Sequence, residues 1–273
     1  MSYFDNFSGY PTQNACLADN ATFGPWKVIF GSVADGGCTQ IATQTAPPYP
    51  VVLQQKPQAS AGSVQTFGAL TSGPAVAGSL FTIAVTVRTV AQLRTGSPPN
   101  NWEVAWIGWD FSYSGSATFY YYTIKESGTE LGRLNSGVQT TLATGSTNYN
   151  PALWHTVLIQ QSAVTAGSTA TLTTWVDGTA DIAFTDNSAS ALATGQVACY
   201  CEDSQVQFTN WALNLPTPQT FTAGSEGLTY PQYIDEAAGR TLTTAPGGTY
   251  SVNVAPGNPG LAATPGDGRW TAA

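Results

Sequence analysis

Charge is what this sequence has least of. Of its 273 residues, 9% are Asp, Glu, Lys or Arg, against about 25% in an average soluble protein, so Thr, Ser, Gly, Gln and Asn must carry the polar surface. Eight basic residues against sixteen acidic ones give a formal charge of −8. That leaves too little cationic surface to neutralise phosphates, which argues against nucleic acid and against anionic membranes as partners. Long apolar runs are also missing. The richest, Leu80 to Val87, is broken by Thr82 and Thr86 and falls far short of the roughly 18 residues of a bilayer span, so membrane insertion is not expected.

Metal-binding and nucleophilic residues are scarce. His155 is the single imidazole, and there are four cysteines, Cys16, Cys38, Cys199 and Cys201. Cys-x-Cys supplies two thiolates, and no second pair has metal-binding spacing, which excludes a zinc site. On a strand Cys199 and Cys201 point to one face and could bond to each other only with strain. Cys16 with Cys38 is the favoured bridge; four buried thiols acting as small hydrophobes is the alternative. The absence of a G-x-S-x-G elbow, a P-loop and a dinucleotide fingerprint removes the commoner hydrolase, NTPase and dehydrogenase chemistries. The start, Met1-Ser-Tyr-Phe-Asp-Asn-Phe-Ser-Gly9, has neither the basic residues nor the apolar stretch of a secretory leader. A hydroxyl-rich exterior surface without such a leader fits a virion protein released by lysis; a secreted protein with its leader trimmed is the alternative.

Helical periodicity is lacking, and in its place are short apolar blocks bounded by Gly, Pro, Asn and Ser, the pattern of many short strands. Leu80 to Arg88 sets Phe81, Ile83, Val85 and Val87 on one face. From Trp102 to Phe111 both faces carry large side chains, as in a central strand covered on two sides. Phe119 to Lys125 and Glu130 to Leu134 read as a hairpin. Trp154 to Gln160 and Thr169 to Gly178 read as an antiparallel pair, the second ending in an Asp-Gly turn. Gly195 to Cys201 and Gln205 to Leu213 complete a series typical of a sandwich or barrel. From Asn214 the texture becomes proline-rich and weakly apolar. The expected organisation is a sandwich over 1–215 and an extension over 216–273, with a short hairpin around Gly247 to Val254, that docks or assembles.

Phe4-Asp-Asn-Phe-Ser-Gly9, Trp26, Phe119-Tyr-Tyr-Tyr122, Gly128-Thr-Glu-Leu-Gly132, Trp175-Val-Asp-Gly178, Gly195-Gln-Val-Ala198 and Val206-Gln-Phe-Thr-Asn210 follow one another in order. Over residues 3–213 this set resembles the concanavalin A-like lectin/glucanase (LamG-like) domains. The resemblance implies an all-β, antiparallel jelly-roll β-sandwich whose first and last strands lie side by side, with Asp5-Asn6-Phe7 next to Phe208-Thr209-Asn210. It does not select an activity, because the fold hosts lectins, hydrolases, lyases and inert spacers. Ala245-Pro-Gly-Gly-Thr-Tyr250 and Pro265-Gly-Asp-Gly-Arg-Trp270 are similar to endings of structural proteins of tailed actinobacteriophages, which implies a minor tail protein or other virion surface protein. The partners implied are other virion proteins, copies of the chain itself and host cell-envelope glycans.

Glycosidase chemistry needs two carboxylates about 5–5.5 Å or 6.5–9.5 Å apart. Glu103 and Asp110 are separated by an odd number of residues, which on an unbroken strand puts them on opposite faces; a bulge near Gly108 would restore the parity. A lyase would use His155 with a tyrosine from Tyr120 to Tyr122, and Arg88 or Arg133 to neutralise a uronate. The usual role of a His at a strand start beside a Trp is structural. Aromatic residues are the remaining signal, because sugar rings stack on exposed rings flanked by Asn, Gln and Asp. Trp109, Tyr113, Tyr121 and Glu103 are the expected outward, glycan-binding set; Trp102, Trp106, Tyr120 and Tyr122 are the expected inward one. No cofactor is required. A structural Ca²⁺ held by Asp5, Glu202 and Asp203 is admitted, with solvated loop acids as the alternative.

Overall fold

The structure, a computed structural model, describes residues 3–11, 13–45, 48–62, 66–76, 80–163 and 166–213, and beyond these the strands at 240–244, 250–254, 261–263 and 270–272. Its elements in chain order begin with β1 (Tyr3–Asp5), β2 (Gln13–Leu17), β3 (Thr22–Phe23), β4 (Trp26–Phe30), β5 (Cys38–Thr43), β6 (Val51–Lys56) and β7 (Gly68–Val76). Then come β8 (Leu80–Gln92), β9 (Ala105–Tyr113), β10 (Ala117–Lys125), β11 (Gly128–Asn135) and β12 (Val138–Gly145). They are followed by β13 (His155–Ala163), β14 (Ala170–Val176), β15 (Thr179–Asp186), β16 (Gly195–Glu202) and β17 (Ser204–Leu213). A single 3₁₀ turn, Val33–Asp35, is the one helical element among the described residues.

Two antiparallel sheets form a sandwich. The first runs β15-β14-β13-β8-β17-β6-β5-β2, with β1 also paired to β17; the second runs β12-β11-β10-β9-β16-β7-β4-β3. The chain crosses between them at β2 to β3, β4 to β5, β6 to β7, β7 to β8, β8 to β9, β12 to β13, β15 to β16 and β16 to β17, so strands adjacent in space come from distant sequence, as in a jelly roll. The first and last strands of the sandwich are neighbours, with Asp5 opposite Trp211 and the Thr209 hydroxyl donating to the Asn6 carbonyl. Asp177 and Gly178, both at positive φ, make the tight turn between β14 and β15 that an Asp-Gly pair favours. Of the extension 216–273, strands Arg240–Thr244 and Tyr250–Val254 pair antiparallel, as do Leu261–Ala263 and Trp270–Ala272. Its other residues, and the docking role expected of it, lie outside the described residues.

The two-residue period decides what is buried. Phe81, Ile83, Val85 and Val87 of β8 enter the main core between the sheets with Ile107, Trp109, Tyr120, Tyr122, Phe208 and Trp211. At one end of that core Trp26 is fully buried, with its ring 5.2 Å from Phe7 and 5.6 Å from Trp211. Its Nε1 donates to Asp5 Oδ2 at 2.8 Å. A second cluster, built on Trp106, Phe111, Phe119, Tyr121 and Leu70, lies apart from the first. It occupies the outer face of the second sheet, so this sheet is apolar on both sides, as the two-sided sequence of β9 implies.

The Cys16–Cys38 bond is formed and ties the edge strand β2 to β5. Cys199 and Cys201 are free and buried, and burial raises both thiol pKa values, which makes them packing residues. Because the disulfide only anchors an edge strand that already pairs with its neighbour, replacing both Cys16 and Cys38 by Ser is expected to cost about 2 kcal/mol, the low end of the usual range. A urea titration checks the value, and an unchanged midpoint would show that the bond adds nothing to the ladder.

Candidate functional site

Outward-facing positions of β9 and its neighbours build one aromatic surface. Across β10, Tyr121 stands opposite Gly108 on one side and Gly132 on the other. These glycines make room for the rings: a Cβ on Gly132 would lie 2.1 Å from the Tyr121 ring, and one on Gly108 would lie 3.0 Å from Phe119. Trp106 packs 4.4 Å from Tyr121 and edge-on to Tyr200 at 5.3 Å. Tyr200 in turn meets Phe119 at 6.0 Å and Phe30 at 6.5 Å.

One backbone irregularity completes the surface. Between Gly108 and Phe111, β9 advances three residues while β16 advances two, and the ladder with β10 shifts over the same stretch. The extra residue is Asp110, which sits at φ 53°, and this bulge reverses the alternation of the strand. Before it, Ile107 and Trp109 face the main core; after it, Phe111 joins the outer cluster. Tyr113, farther along, comes within 6.2 Å of Phe30.

Between Tyr113, Phe30, Trp106, Phe119 and Tyr200 lies a pocket of about 280 Å³. Beside the tyrosine hydroxyls, the polar side chains that line it are Ser116, Gln139 from β12 and Glu202 from β16. Gln139 Nε2 donates to Tyr121 Oη at 2.9 Å. Glu202 accepts the Tyr200 hydroxyl at 2.6 Å. Burial raises the Glu202 pKa, and the charges of Asp203 and Glu103 add to it, against the Tyr200 hydrogen bond and the charge of Arg94.

Behind Glu202 is a buried ion cluster. Arg94 Nε donates to Glu103 Oε1 at 2.5 Å and Arg94 Nη2 to Asp203 Oδ2 at 2.6 Å. Asn100 supports Glu103 at 2.8 Å, and the other Arg94 Nη reaches the Gly62 carbonyl. Both carboxylates are fully buried.

Of the expected glycan-binding residues, Tyr113 alone is exposed, at 46%. Trp109 is in the main core, where its Nε1 donates to Gln161 Oε1 at 2.6 Å; the bulge gives it the opposite orientation to Tyr113. Tyr121 is on the outer face but sealed beneath its neighbours, with its hydroxyl on Glu130 Oε1 at 2.5 Å. Glu103 is consumed by Arg94. From the expected inward set, Trp102 is 43% exposed and Trp106 is buried at 1% in the outer cluster beneath the pocket, whereas Tyr120 and Tyr122 do face the main core.

The three candidate Ca²⁺ ligands do not converge. Asp5 lies beside Trp211, and Asp203 precedes the other end of the same strand β17, about 25 Å away at roughly 3.3 Å per residue. Asp5 accepts hydrogen bonds from Tyr3 Oη, Phe7 N, Tyr10 Oη and Trp26 Nε1, and Arg94 supplies the positive charge at Asp203. Among the described residues, no group of three or more His, Cys, Asp or Glu could hold a metal ion.

The catalytic constellations are not assembled either. Glu103 contacts Arg94, whereas Asp110 meets Gln161 at 2.6 Å at the other end of β9. His155 has both ring nitrogens engaged, Nδ1 with Asp177 at 2.7 Å and Nε2 with the Asn150 carbonyl at 2.8 Å. Burial lowers its pKa, but these bonds and the charge of Asp177 outweigh that and leave it raised. Arg133 pairs with Asp186, and Arg88 bonds Gln207. Three successive tyrosines are used structurally: Tyr120 donates to Asp186, Tyr121 to Glu130 and Tyr122 to Asp181.

No family model matches the chain, and no curated protein matches it. Among solved structures it is similar to the carbohydrate-binding module CBM66 from Bacillus subtilis, at 12% identity and a TM-score of 0.48, over 75% of this chain and 99% of that one. The lectin UEA-II complexed with galactose is similar at 8% identity and a TM-score of 0.45, over 78% and 98%. Alginate lyase Aly36B is similar at 10% identity and a TM-score of 0.41, over 78% and 96%.

Proposed function

We propose that this chain is a non-enzymatic glycan-binding β-sandwich displayed on a virion surface, where it assembles with other virion proteins or with copies of itself and contacts host-envelope glycans. The observation that carries the glycan reading is the pocket of about 280 Å³ with aromatic walls, one amide and one carboxylate. Stacking rings with a few convergent polar groups is the chemistry that recognises a pyranose, and the volume sits near the lower end of ligand sites. The sparse charge of the chain, 9%, and the phage-like endings of its extension support display on a virion.

Carboxylate placement supports binding without turnover. On the outer face Glu130 and Glu202 are carried by β11 and β16, with β10 and β9 between them. Three strand spacings of about 4.8 Å put their backbones about 14 Å apart, and Glu130 is engaged by Tyr121, Lys125 and Gln139. A hydrolytic pair needs less than about 10 Å.

A glycan array followed by calorimetry tests the reading. Tyr113→Ala is expected to weaken the best ligand about tenfold, the worth of one stacked ring, with the fold unchanged because the side chain is half-exposed. Product release from a polysaccharide panel would replace this reading with an enzymatic one. Mass spectrometry of purified particles tests the location, and absence of the chain from them would remove the virion part alone.

A further inference from the structure

The pocket has a sign. Its described lining includes five aromatic residues and one carboxylate, Glu202, and neither Lys nor Arg. Directly behind Glu202, Glu103 and Asp203 share the single guanidinium of Arg94, so three carboxylates are set against one fixed cation. Lys125, on β10, is paired with Glu130, and Lys27, on β4, is not among the residues that line the pocket. Aromatic faces attract cations through their quadrupoles when the charge comes within about 6 Å of the ring, and a desolvated carboxylate in a negative field attracts them further. A uronate or sulfated sugar would find no cationic side chain among the described lining residues.

Resting on the glycan reading above, we propose that the ligand is an amino sugar with a free amine, its ammonium held by Glu202 beside the rings of Tyr113, Tyr200 and Phe30. Of the sources of an ammonium, the sugar is favoured because Gln139 offers an amide to a hydroxyl and the Tyr113 ring is free to stack. The raised Glu202 pKa agrees: burial and the flanking carboxylates leave this acid short of a counter-charge.

Calorimetry with three oligosaccharides of equal length tests the proposal: β-1,4-linked glucosamine, its fully N-acetylated form and the corresponding glucose oligomer, each in low and high salt. The glucosamine oligomer is expected to bind about tenfold more tightly than the other two, with the advantage shrinking in high salt. In Glu202→Gln, which is isosteric and still accepts the Tyr200 hydroxyl, the advantage should vanish, while Tyr113→Ala should weaken all three. Equal affinity for the three oligomers would overturn the ammonium assignment and leave the glycan reading intact. Binding of choline or lysine methyl ester without any saccharide would sustain the cation site and overturn the glycan reading; no binding by any probe overturns both.

Discussion

Trp26→Ala is expected to cost about 3–5 kcal/mol, a large share of a typical domain's stability. The indole is fully buried, and its ring fills the space above Gly73, where a Cβ would lie 2.5 Å from it. Truncation leaves a cavity between Phe7 and Trp211 and takes a donor from Asp5, which also gathers Tyr3, Phe7 and Tyr10. The damage should therefore spread to the pairing of β1 with β17. Hydrogen exchange on Tyr3 to Asp5 should accelerate together with the drop in urea midpoint, and Trp26→Phe, which refills part of the cavity, should lose less. A loss below about 1 kcal/mol would mean that the site closes over the gap, and this end of the core would then not depend on the indole.

The second large effect concerns Asp110. It is 2% exposed and burial raises its pKa to about 6, partly offset by the hydrogen bond from Gln161. In the unfolded chain the acid titrates near 4, so the folded form keeps its proton about two units longer. Stability from this group is intact below about pH 4 and is lost as pH rises to about 6. The loss at neutral pH is about 3 kcal/mol. Asp110→Asn does not titrate and tolerates the same positive φ, so its stability relative to the parent should rise by about that amount between pH 4 and pH 7. Taking the difference between the two chains cancels the other titrating groups, among them Glu130 and Asp186, whose pKa values are lowered. A pH-independent difference in urea midpoints would show that Asp110 is already ionised in the fold.

Strands with a regular alternation of large apolar and small or hydroxyl side chains were legible in the sequence, although in β8 the second face is covered as well, with Thr82, Ala84 and Thr86 buried. In β8 the alternation of Phe81, Ile83, Val85 and Val87 with Thr82, Ala84 and Thr86 identifies the strand and its inner face together, and Asp177-Gly178 marks the turn between β14 and β15 locally. The neighbourhood of Asp5-Asn6-Phe7 and Phe208-Thr209-Asn210 was implied by the resemblance to concanavalin A-like domains. β9 defeated the same reasoning, because Trp106, Ile107, Trp109 and Phe111 are all large and the sequence offers no polar face to fix the parity. Nothing local marks Asp110 as the extra residue, since its partner Gln161 is 51 positions away. The pairing of Glu103 with Arg94 is similarly hidden. The second partner of Arg94, Asp203, arrives from the junction of β16 and β17, 109 residues beyond it. Of the pocket, Tyr113 was anticipated as a binding residue and Glu202 as a ligand of a different kind, whereas Gln139, Tyr200 and Phe30 carry no signal until β12, β16 and β4 are brought beside β9.

The bulge has a consequence for how wide the pocket opens. Trp106 forms part of its floor and Tyr113 part of its rim, and both belong to β9, on either side of Asp110. Floor and rim are thus one ribbon folded over at a single hinge point, so the aperture is set by a residue that no ligand touches. Two chains with identical wall residues but different tolerance for left-handed backbone at this position would admit guests of different thickness.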